Sequence, residues 1–315
     1  MRKGQNPAKF VKDVAKPERI TAAMLTYIPF LSGFYEETLD VLKVSLDSMR
    51  KDAGLPFDLL VFDNGSCPEA RDYLIQEKEA GRIQYLILSE KNVGKGGAWN
   101  VILAGAPGEI IAYADSDVLF SPNWLARSVE ILETYPNVGM VTARPYRTPP
   151  ERYSATLDWA IENATLENGQ FIPWETFLEF NLSLGQTEEE NREVYSDTKD
   201  WKITYNGVTA MVGASHWQFT AYKSRLQQFL PFDMSRPMGE VKQLDQRMNE
   251  AGLLRLMVSD PLAMNMSNTL GYMRGELGKE QPKKKPSLGK RVLELALVKK
   301  VLLAAYNKIF NWYYS

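Results

Sequence analysis

From residue 20 onward the hydrophobic positions of the chain fall into two alternating rhythms. Residues 20–26 (ITAAMLT), 57–63 (FDLLVFD), 83–88, 109–114 and 138–143 are short, nearly continuous apolar runs, rich in β-branched and aromatic side chains. Runs of that length predict strands buried on both faces. Between them the spacing changes to three and four. Leu39, Leu42, Leu46 and Met49 place a helix over 35–52, a polar helix follows Pro68 over 69–80, the loop at 92–97 opens another, and one more spans 123–135. Strands alternating with helices imply right-handed crossovers and a mostly parallel, doubly wound sheet flanked by helices, the α/β class.

Over 144–213 this rhythm is lost in aromatic and acidic sequence. Four of the seven tryptophans, Trp159, Trp174, Trp201 and Trp217, lie there or just beyond. Flat rings in that number serve either as a second packing layer or as the wall of a binding lobe. An apolar, small-residue pattern resumes over 208–221, a helix over 240–252 is stopped by Gly252, and 253–258 reads as a further strand. After a linker at 278–286, residues 288–314 carry apolar side chains at 292, 295, 302, 306, 309, 310 and 313 with lysines on the other faces, which predicts an amphipathic basic helix. Four segments result: a basic leader (1–19), two halves of a catalytic or binding unit (20–143 and 144–277), and a tail (278–315).

Composition narrows the class of protein. With 315 residues, 44% hydrophobic and 24% charged, the chain is expected to bury a large core and is neither disordered nor membrane-integral in character. A single cysteine, Cys67, excludes an internal disulfide. The leader has no apolar core, and no run approaches the roughly 18 apolar residues of a spanning helix, so a cytoplasmic location is expected. The net charge of −2 is unevenly spread, because 279–308 holds nine Lys and Arg against two Glu, a local +7 that leaves −9 for the remainder. That tail suits a peripheral contact with the anionic inner face of a membrane, a partner helix in a homo-oligomer, or a helix folded back on the catalytic domain. No nucleic acid is expected among the partners.

Chemistry gathers at the strand ends. Ligands of doubly wound sheets bind beyond the carboxyl ends of the strands, and three of those ends are polar here: Thr26-Tyr27, Asp63-Asn64-Gly65-Ser66 and Asp115-Ser116-Asp117. Two acids one residue apart at the end of an apolar strand make an anionic pocket that suits a divalent cation. The loop Asn92-Val-Gly-Lys-Gly-Gly97 is neither a GxGxxG nor a Walker sequence, yet it opens a helix whose backbone N–H groups can face an anion, with Lys95 to neutralise phosphate.

Taken in order, Leu25-Thr26-Tyr27, Asp63-Asn64-Gly65-Ser66, Asn92-Val93-Gly94 followed by Ala98 and Asn100, and Asp115-Ser116-Asp117 resemble the nucleotide-sugar-binding half of a GT-A glycosyltransferase, nearest to family 2. The resemblance covers about the first 125 residues and departs from the family at Ile28, where an Asn is usual. It implies a GT-A sheet and transfer of a sugar from a UDP- or GDP-sugar to a hydroxyl of a sugar, glycan or lipid-linked acceptor, with inversion. By the same resemblance, Thr26, Tyr27 and Asp63 hold the nucleoside, the Asp63 carboxylate accepting from a base N–H as uracil or guanine offers. Asn64, Asn92, Gly94, Lys95 and Ser116 complete the donor site, Asp115 lies near the ribose or donor sugar, and Asp117, with Asp115, holds Mn²⁺ or Mg²⁺ on the diphosphate.

The family places its catalytic base in a Glu-Asp pair opening a helix that continues to Arg and Ala-Gly. Aligning Arg247 and Ala251-Gly252 puts Glu240 on the Glu and Val241 on the Asp. The base is then Glu240, or Asp245 five residues on and about 140° around the helix. A further metal-binding His is usual after the next strand, where this chain has Asn265 and Asn268. Its only histidine, His216, precedes Trp217 in a segment resembling the acceptor side. Three alternatives stand beside this reading: a nucleotidyltransferase, which lacks its Gly-rich Arg/Lys loop here, a retaining transferase on the same fold, and a non-catalytic nucleotide-sugar-binding protein.

Overall fold

In the computed structural model, residues 4–235 and 241–278 are described. Each strand and helix expected between residues 20 and 143 forms within a few residues of its sequence-based limits. In order they are β1 (Ile20–Thr26), α1 (Thr38–Arg50), β2 (Asp58–Asp63), α2 (Pro68–Glu79), β3 (Tyr85–Leu88), α3 (Gly94–Gly105), β4 (Ile110–Asp115), a short β5 (Val118–Phe120), α4 (Trp124–Thr134) and β6 (Val138–Thr142). Residues 1–275 cluster as one compact unit and 276–315 as another, of which only 276–278 are described.

The second half holds more regular structure than its pattern suggested. It contributes α5 (Ser154–Asn163), β7 (Thr165–Gly169), α6 (Trp174–Ser183), α7 (Glu188–Asp197), β8 (Asp200–Tyr205), β9 (Val208–Val212), β10 (Gln218–Tyr222), α8 (Lys223–Leu226), α9 (Val241–Glu250), β11 (Leu254–Met257) and β12 (Ala263–Asn265). Asn206 and Gly207, both at positive φ (48° and 80°), turn β8 into β9, and Asn-Gly is the pair that a tight hairpin favours. The apolar stretch 208–221 is two strands rather than one. The chain leaves β9 at Gly213, whose φ of 125° and whose approach to Thr148 (2.7 Å from an added Cβ) admit no side chain.

One ten-stranded sheet runs through both halves in the order β3-β2-β1-β4-β10-β6-β11-β9-β8-β7. β1, β2, β3, β4, β6, β8 and β11 run one way, and β7, β9 and β10 run against them. Each strand of the parallel part feeds both faces by the period-2 alternation of side chains. Ala22 and Met24 of β1, Leu59 and Val61 of β2, and Ile110, Ala112 and Ala114 of β4 pack against α1, α2 and α4. Ala23 and Leu25, Leu60 and Phe62, and Ile111 and Tyr113 pack against α3 and α9. That double burial is why these strands read as continuous apolar runs. A fully buried Leu or Met such as Leu42 or Met24 contributes about 1.5–3 kcal/mol over an exposed position.

The glycines of 94–97 lie inside the first turn of α3 rather than in a loop. A Cβ on Gly96 would stand 2.5 Å from the Asp233 carbonyl oxygen, and one on Gly97 3.0 Å from Met234, so glycine lets the helix lie against the 232–234 segment. Two tryptophans of the aromatic stretch, Trp159 and Trp201, pack on the main core. Trp174 packs with Tyr146, Phe177 and Phe180 in a separate aromatic cluster, and Trp217 touches both that cluster and the main core.

Candidate functional site

A cavity of about 460 Å³ opens beyond the carboxyl ends of the parallel strands. Tyr27, Asn64, Asn92, Lys95 and the run Asp115-Ser116-Asp117 line it from the sheet side. Phe34 and Tyr35 line it from the segment before α1, and Ser267 and Asn268 from the segment after β12. Seven of the residues singled out from sequence therefore meet in one place.

The two acids at the end of β4 have unlike surroundings. Asp115 is fully engaged: its Oδ2 accepts from Lys95 Nζ at 2.7 Å and its Oδ1 from the Tyr113 hydroxyl at 2.6 Å. Lys95 is 9% exposed and lies 5.5 Å from the Trp99 ring, so its charge is committed to the site rather than to water. Burial and the Asp115 charge together hold the Tyr113 hydroxyl well above its ordinary value, which keeps it a donor. Among the described residues no side chain donates to the Asp117 carboxylate. Burial first, then the neighbouring Asp115 charge, push Asp117 up to about 7, against the pull of Lys95.

The wall beside them is fixed by an asparagine latch. Asn64 Nδ2 donates to Asn92 Oδ1 at 3.0 Å, Asn64 Oδ1 accepts from the Val93 N–H at 2.9 Å, and Asn92 Oδ1 accepts from the Gly94 N–H at 2.7 Å. These side chains cap the start of α3. The Val93 and Gly94 N–H groups, expected to face an anion, are thus already taken. Gly94, at φ 72°, shapes the helix entry and is off the cavity wall.

Asp63 and Thr26 stand behind that wall. Asp63 is fully buried, accepts from the Ser66 N–H at 3.2 Å and lies 3.7 Å from Arg71 Nε, and burial raises its carboxyl. It closes the turn that presents Asn64, where sequence reading had it touching the nucleobase. Thr26 is 1% exposed and its hydroxyl meets no partner. Tyr27, by contrast, is 38% exposed on the wall.

The opposite rim holds Asn268, at the place where the family's metal-binding His is usual, but the contacts that fix it escaped sequence reading. Met266 N–H donates to the Asp117 carbonyl at 2.8 Å, and β12 pairs with β5, which lays 265–268 alongside the acidic run. Glu37 at the start of α1 clamps this rim. Its Oε2 accepts from Thr269 Oγ1 at 2.6 Å and the Leu270 N–H at 2.9 Å, and Arg274 lies 3.2 Å from its Oε1. Those three donors hold the Glu37 carboxyl down at about 2, the Thr269 hydroxyl foremost.

Of the two candidate bases, Glu240 lies outside the described residues, as does the tail from 279 with its amphipathic stretch 288–314. Asp245 on α9 is 0% exposed and sits off the cavity wall. Its Oδ1 accepts from the Arg255 guanidinium at 2.6 Å and its Oδ2 bonds His216 Nδ1 at 2.7 Å. A carboxylate sealed in this way meets no substrate directly, which corrects the expectation that it takes a proton from the acceptor itself. Val241, at the place of the family's second acid, is a fully buried core residue. His216 and Trp217 form the tip of a turn closed by the Ser215–Gln218 pair, and the Trp217 carbonyl accepts the Asp115 N–H at 2.9 Å. Trp217 stacks 5.7 Å from Phe180 with its indole N–H unpartnered.

A divalent cation fits this donor set. Among the described residues no three His, Cys, Asp or Glu converge, but hard cations bound with substrate phosphates need only one or two protein carboxylates. Asp117 is the carboxylate without a side-chain partner, and the oxygens of Ser116, Ser267 and Asn268 stand on the same wall.

Among the described residues no helix is long and apolar enough to cross a membrane. Residues 33–188 match the family model described as Glycosyl transferase family 2. An uncharacterized glycosyltransferase from Nostoc sp. is 30% identical over 97 residues, which is 31% of this chain and 30% of that protein. Among solved structures, a mannosyltransferase from Pyrobaculum calidifontis in complex with GDP-Man and Mn²⁺ is similar over 78% of this chain and 55% of its own, at 19% identity and a TM-score of 0.42. S. aureus TarS 1-349 in complex with UDP-GlcNAc is similar over 78% and 57%, at 16% identity and a TM-score of 0.44. The chain thus spans little more than half of each of these solved chains. The stretch 33–188, just under half of the chain, runs from before α1 past the acidic end of β4, and over it the chain resembles glycosyl transferase family 2.

Proposed function

We propose that this protein transfers a glycosyl group from a nucleotide-diphosphate sugar to a hydroxyl acceptor, with inversion and with the help of Mn²⁺ or Mg²⁺. The observation that carries the reading is the Asp117 carboxylate, which no side chain among the described residues answers, beside the Lys95-paired Asp115, in a cavity of about 460 Å³ at the strand ends. A half-buried carboxylate that no side chain answers is costly, and a cation arriving with the diphosphate relieves that cost. The cation, when bound, stabilises charge on the departing diphosphate.

The chain's own residues divide the remaining work. Tyr27, Phe34 and Tyr35 offer aromatic faces to the nucleoside. Asn64 and Asn92 hold the wall and the start of α3 in place. Lys95 pairs with Asp115 and orients it, so that the two acids do not repel the diphosphate as a bare pair would. The sugar, glycan or lipid-linked acceptor approaches past Trp217, which the buried aromatic cluster of Tyr146, Phe177 and Phe180 supports from behind.

The test is incubation of the full chain with Mn²⁺ and a panel of UDP- and GDP-sugars, following the slow release of nucleoside diphosphate to water. Release from one donor, abolished by chelation, supports the reading and names the donor. If no nucleotide sugar binds with or without metal, the transferase reading is lost. Tight binding with no release on any acceptor points instead to a nucleotide-sugar-binding protein. Membrane contact through 288–314 is a separate proposal resting on the basic amphipathic pattern, and truncation at Gly278 should abolish flotation with anionic liposomes.

A further inference from the structure

Asp245 brings together facts that the donor site leaves unused. It is fully buried, its Oδ1 is held by Arg255, itself 0% exposed, and Arg152 stands 3.9 Å from its Oδ2. A carboxylate facing a guanidinium is an acceptor, so its 2.7 Å bond to His216 makes the Nδ1–H of the imidazole the donor. The lone pair is then on Nε2. Among the described residues Nε2 meets no protein partner, and the His216 side chain is 16% exposed while Asp245 is sealed. The ring is fixed in tautomer and direction from behind and open in front.

Its place in the fold matters as much as its partner. His216 adjoins Trp217, whose carbonyl holds the Asp115 N–H, so the imidazole belongs to the turn built against the acidic strand end. It is not on the wall of the cavity assigned to the donor. In-line displacement needs the proton acceptor away from the leaving group, on the acceptor's side. The residue at the family's acid position, Val241, is a core side chain with nothing to offer.

Resting on the transferase reading above, we propose that His216 takes the proton from the acceptor hydroxyl, and that Asp245 is a positioning residue that acts through it. Nε2 accepts the hydroxyl proton as the oxygen forms its bond to the anomeric carbon. The bond from that carbon to the diphosphate oxygen breaks, and its electron pair leaves with the nucleoside diphosphate. The imidazolium then returns its proton to solvent. Arg255 and Arg152 hold the Asp245 charge in place throughout, and Tyr146 is the other titratable group beside it.

The experiment uses the full chain, Mn²⁺ and the donor that the wild type hydrolyses in the panel above. His216→Ala should bind that nucleotide sugar within about twofold of wild type, yet release nucleoside diphosphate about 10²–10⁴ times more slowly at saturating donor. Added imidazole should restore release to His216→Ala and not to wild type, a rescue that a merely structural histidine does not give. Asp245→Glu, which keeps the charge, should lose less than Asp245→Asn. Unchanged release by His216→Ala, equal loss of binding and release, or loss in Glu240→Gln with His216→Ala intact each overturns the assignment while leaving the transferase reading standing. If wild type releases nothing from any donor, both fall together.

Discussion

Asp117 and Asp245 stand on elements of the same fold, yet one is half-buried and faces a cavity with no side-chain partner, while the other is sealed and clamped between Arg255 and His216. The first is left with a charge that the protein does not neutralise, so the protonated form gains and the group rises to about 7. The second has its charge answered on both oxygens. An unanswered carboxylate in a cavity is a place for something to arrive, whereas an answered one in the core can only set the state of its neighbour. The division of roles proposed above follows from that difference.

The same mutation applied to each should therefore change stability in opposite directions. Asp245→Asn leaves Arg255 as a buried unpaired cation and should cost about 3–5 kcal/mol, read from urea unfolding at neutral pH. A neutral result would mean that the carbonyls of Arg152 and Ala214, which also accept from Arg255, satisfy the guanidinium unaided, and the clamp would lose its energetic meaning.

Asp117→Asn should stabilise the metal-free protein instead. A folded value of about 7 against an ordinary 3.8 means that the folded state binds the proton more tightly, so between roughly pH 4 and pH 7 wild-type stability falls as pH rises. At one pH unit per 1.36 kcal/mol this amounts to at most about 4 kcal/mol, less whatever the cavity's water screens. The variant should lack this slope and should also lose the stabilisation by Mn²⁺ that wild type shows. An Asp117→Asn protein that still gains stability from Mn²⁺ would place the cation elsewhere.

Lys95 tests the contrast from the other side, because it is what makes Asp115 resemble Asp245 more than Asp117. Lys95→Met deletes a 9%-exposed ammonium 2.7 Å from Asp115 and leaves two carboxylates one residue apart with only the Tyr113 hydroxyl donating to Asp115. Metal-free stability should drop by about 2–3 kcal/mol, and Mn²⁺ should recover more of it than in wild type. Thermal shifts with and without the ion check both halves, and an unaltered metal response would show that the two acids do not share the site.

How much of this was legible before the fold was known depends on sequence distance. β1 to β6 and their helices were readable because burial on both faces leaves continuous apolar runs, and Asp115-Ser116-Asp117 was readable because it ends one of them. The partners of those acids were not. Lys95 was read as a partner for phosphate and Tyr113 as a strand aromatic, and nothing local says that their polar ends converge on Asp115. Asp63 was hard to read for a related reason: a polar residue at a strand end can face a ligand or close the turn behind it, and here its carboxylate accepts from the Ser66 N–H. Asp245 and His216 lie 29 residues apart, and their bond depends on a helix and a turn that meet only through the sheet. In 144–213 the aromatic positions obscured α5 to α7, while Asn206-Gly207 was a hairpin signal that went unread.

Glu37 supplies an intermediate case and the smallest effect. Its charge is answered, as that of Asp245 is, but by donors at the surface, with 38% of its side chain in water. Its carboxyl is held down at about 2 from an ordinary 4.5, by the Thr269 hydroxyl, the Leu270 N–H and Arg274 in that order. A depressed carboxyl contributes stability that is present above about pH 4.5 and is lost as pH falls toward 2. Water screens the pair, so global unfolding should hardly register it. The rim should register it locally: amide exchange at Leu270, corrected for intrinsic rates, should speed up as pH drops through that window, and in Glu37→Gln it should be fast at every pH. If exchange at Leu270 in wild type is the same at pH 6 and pH 3, surface donors alone do not hold the rim. An answered charge would then need burial, as at Asp245, to fix its surroundings.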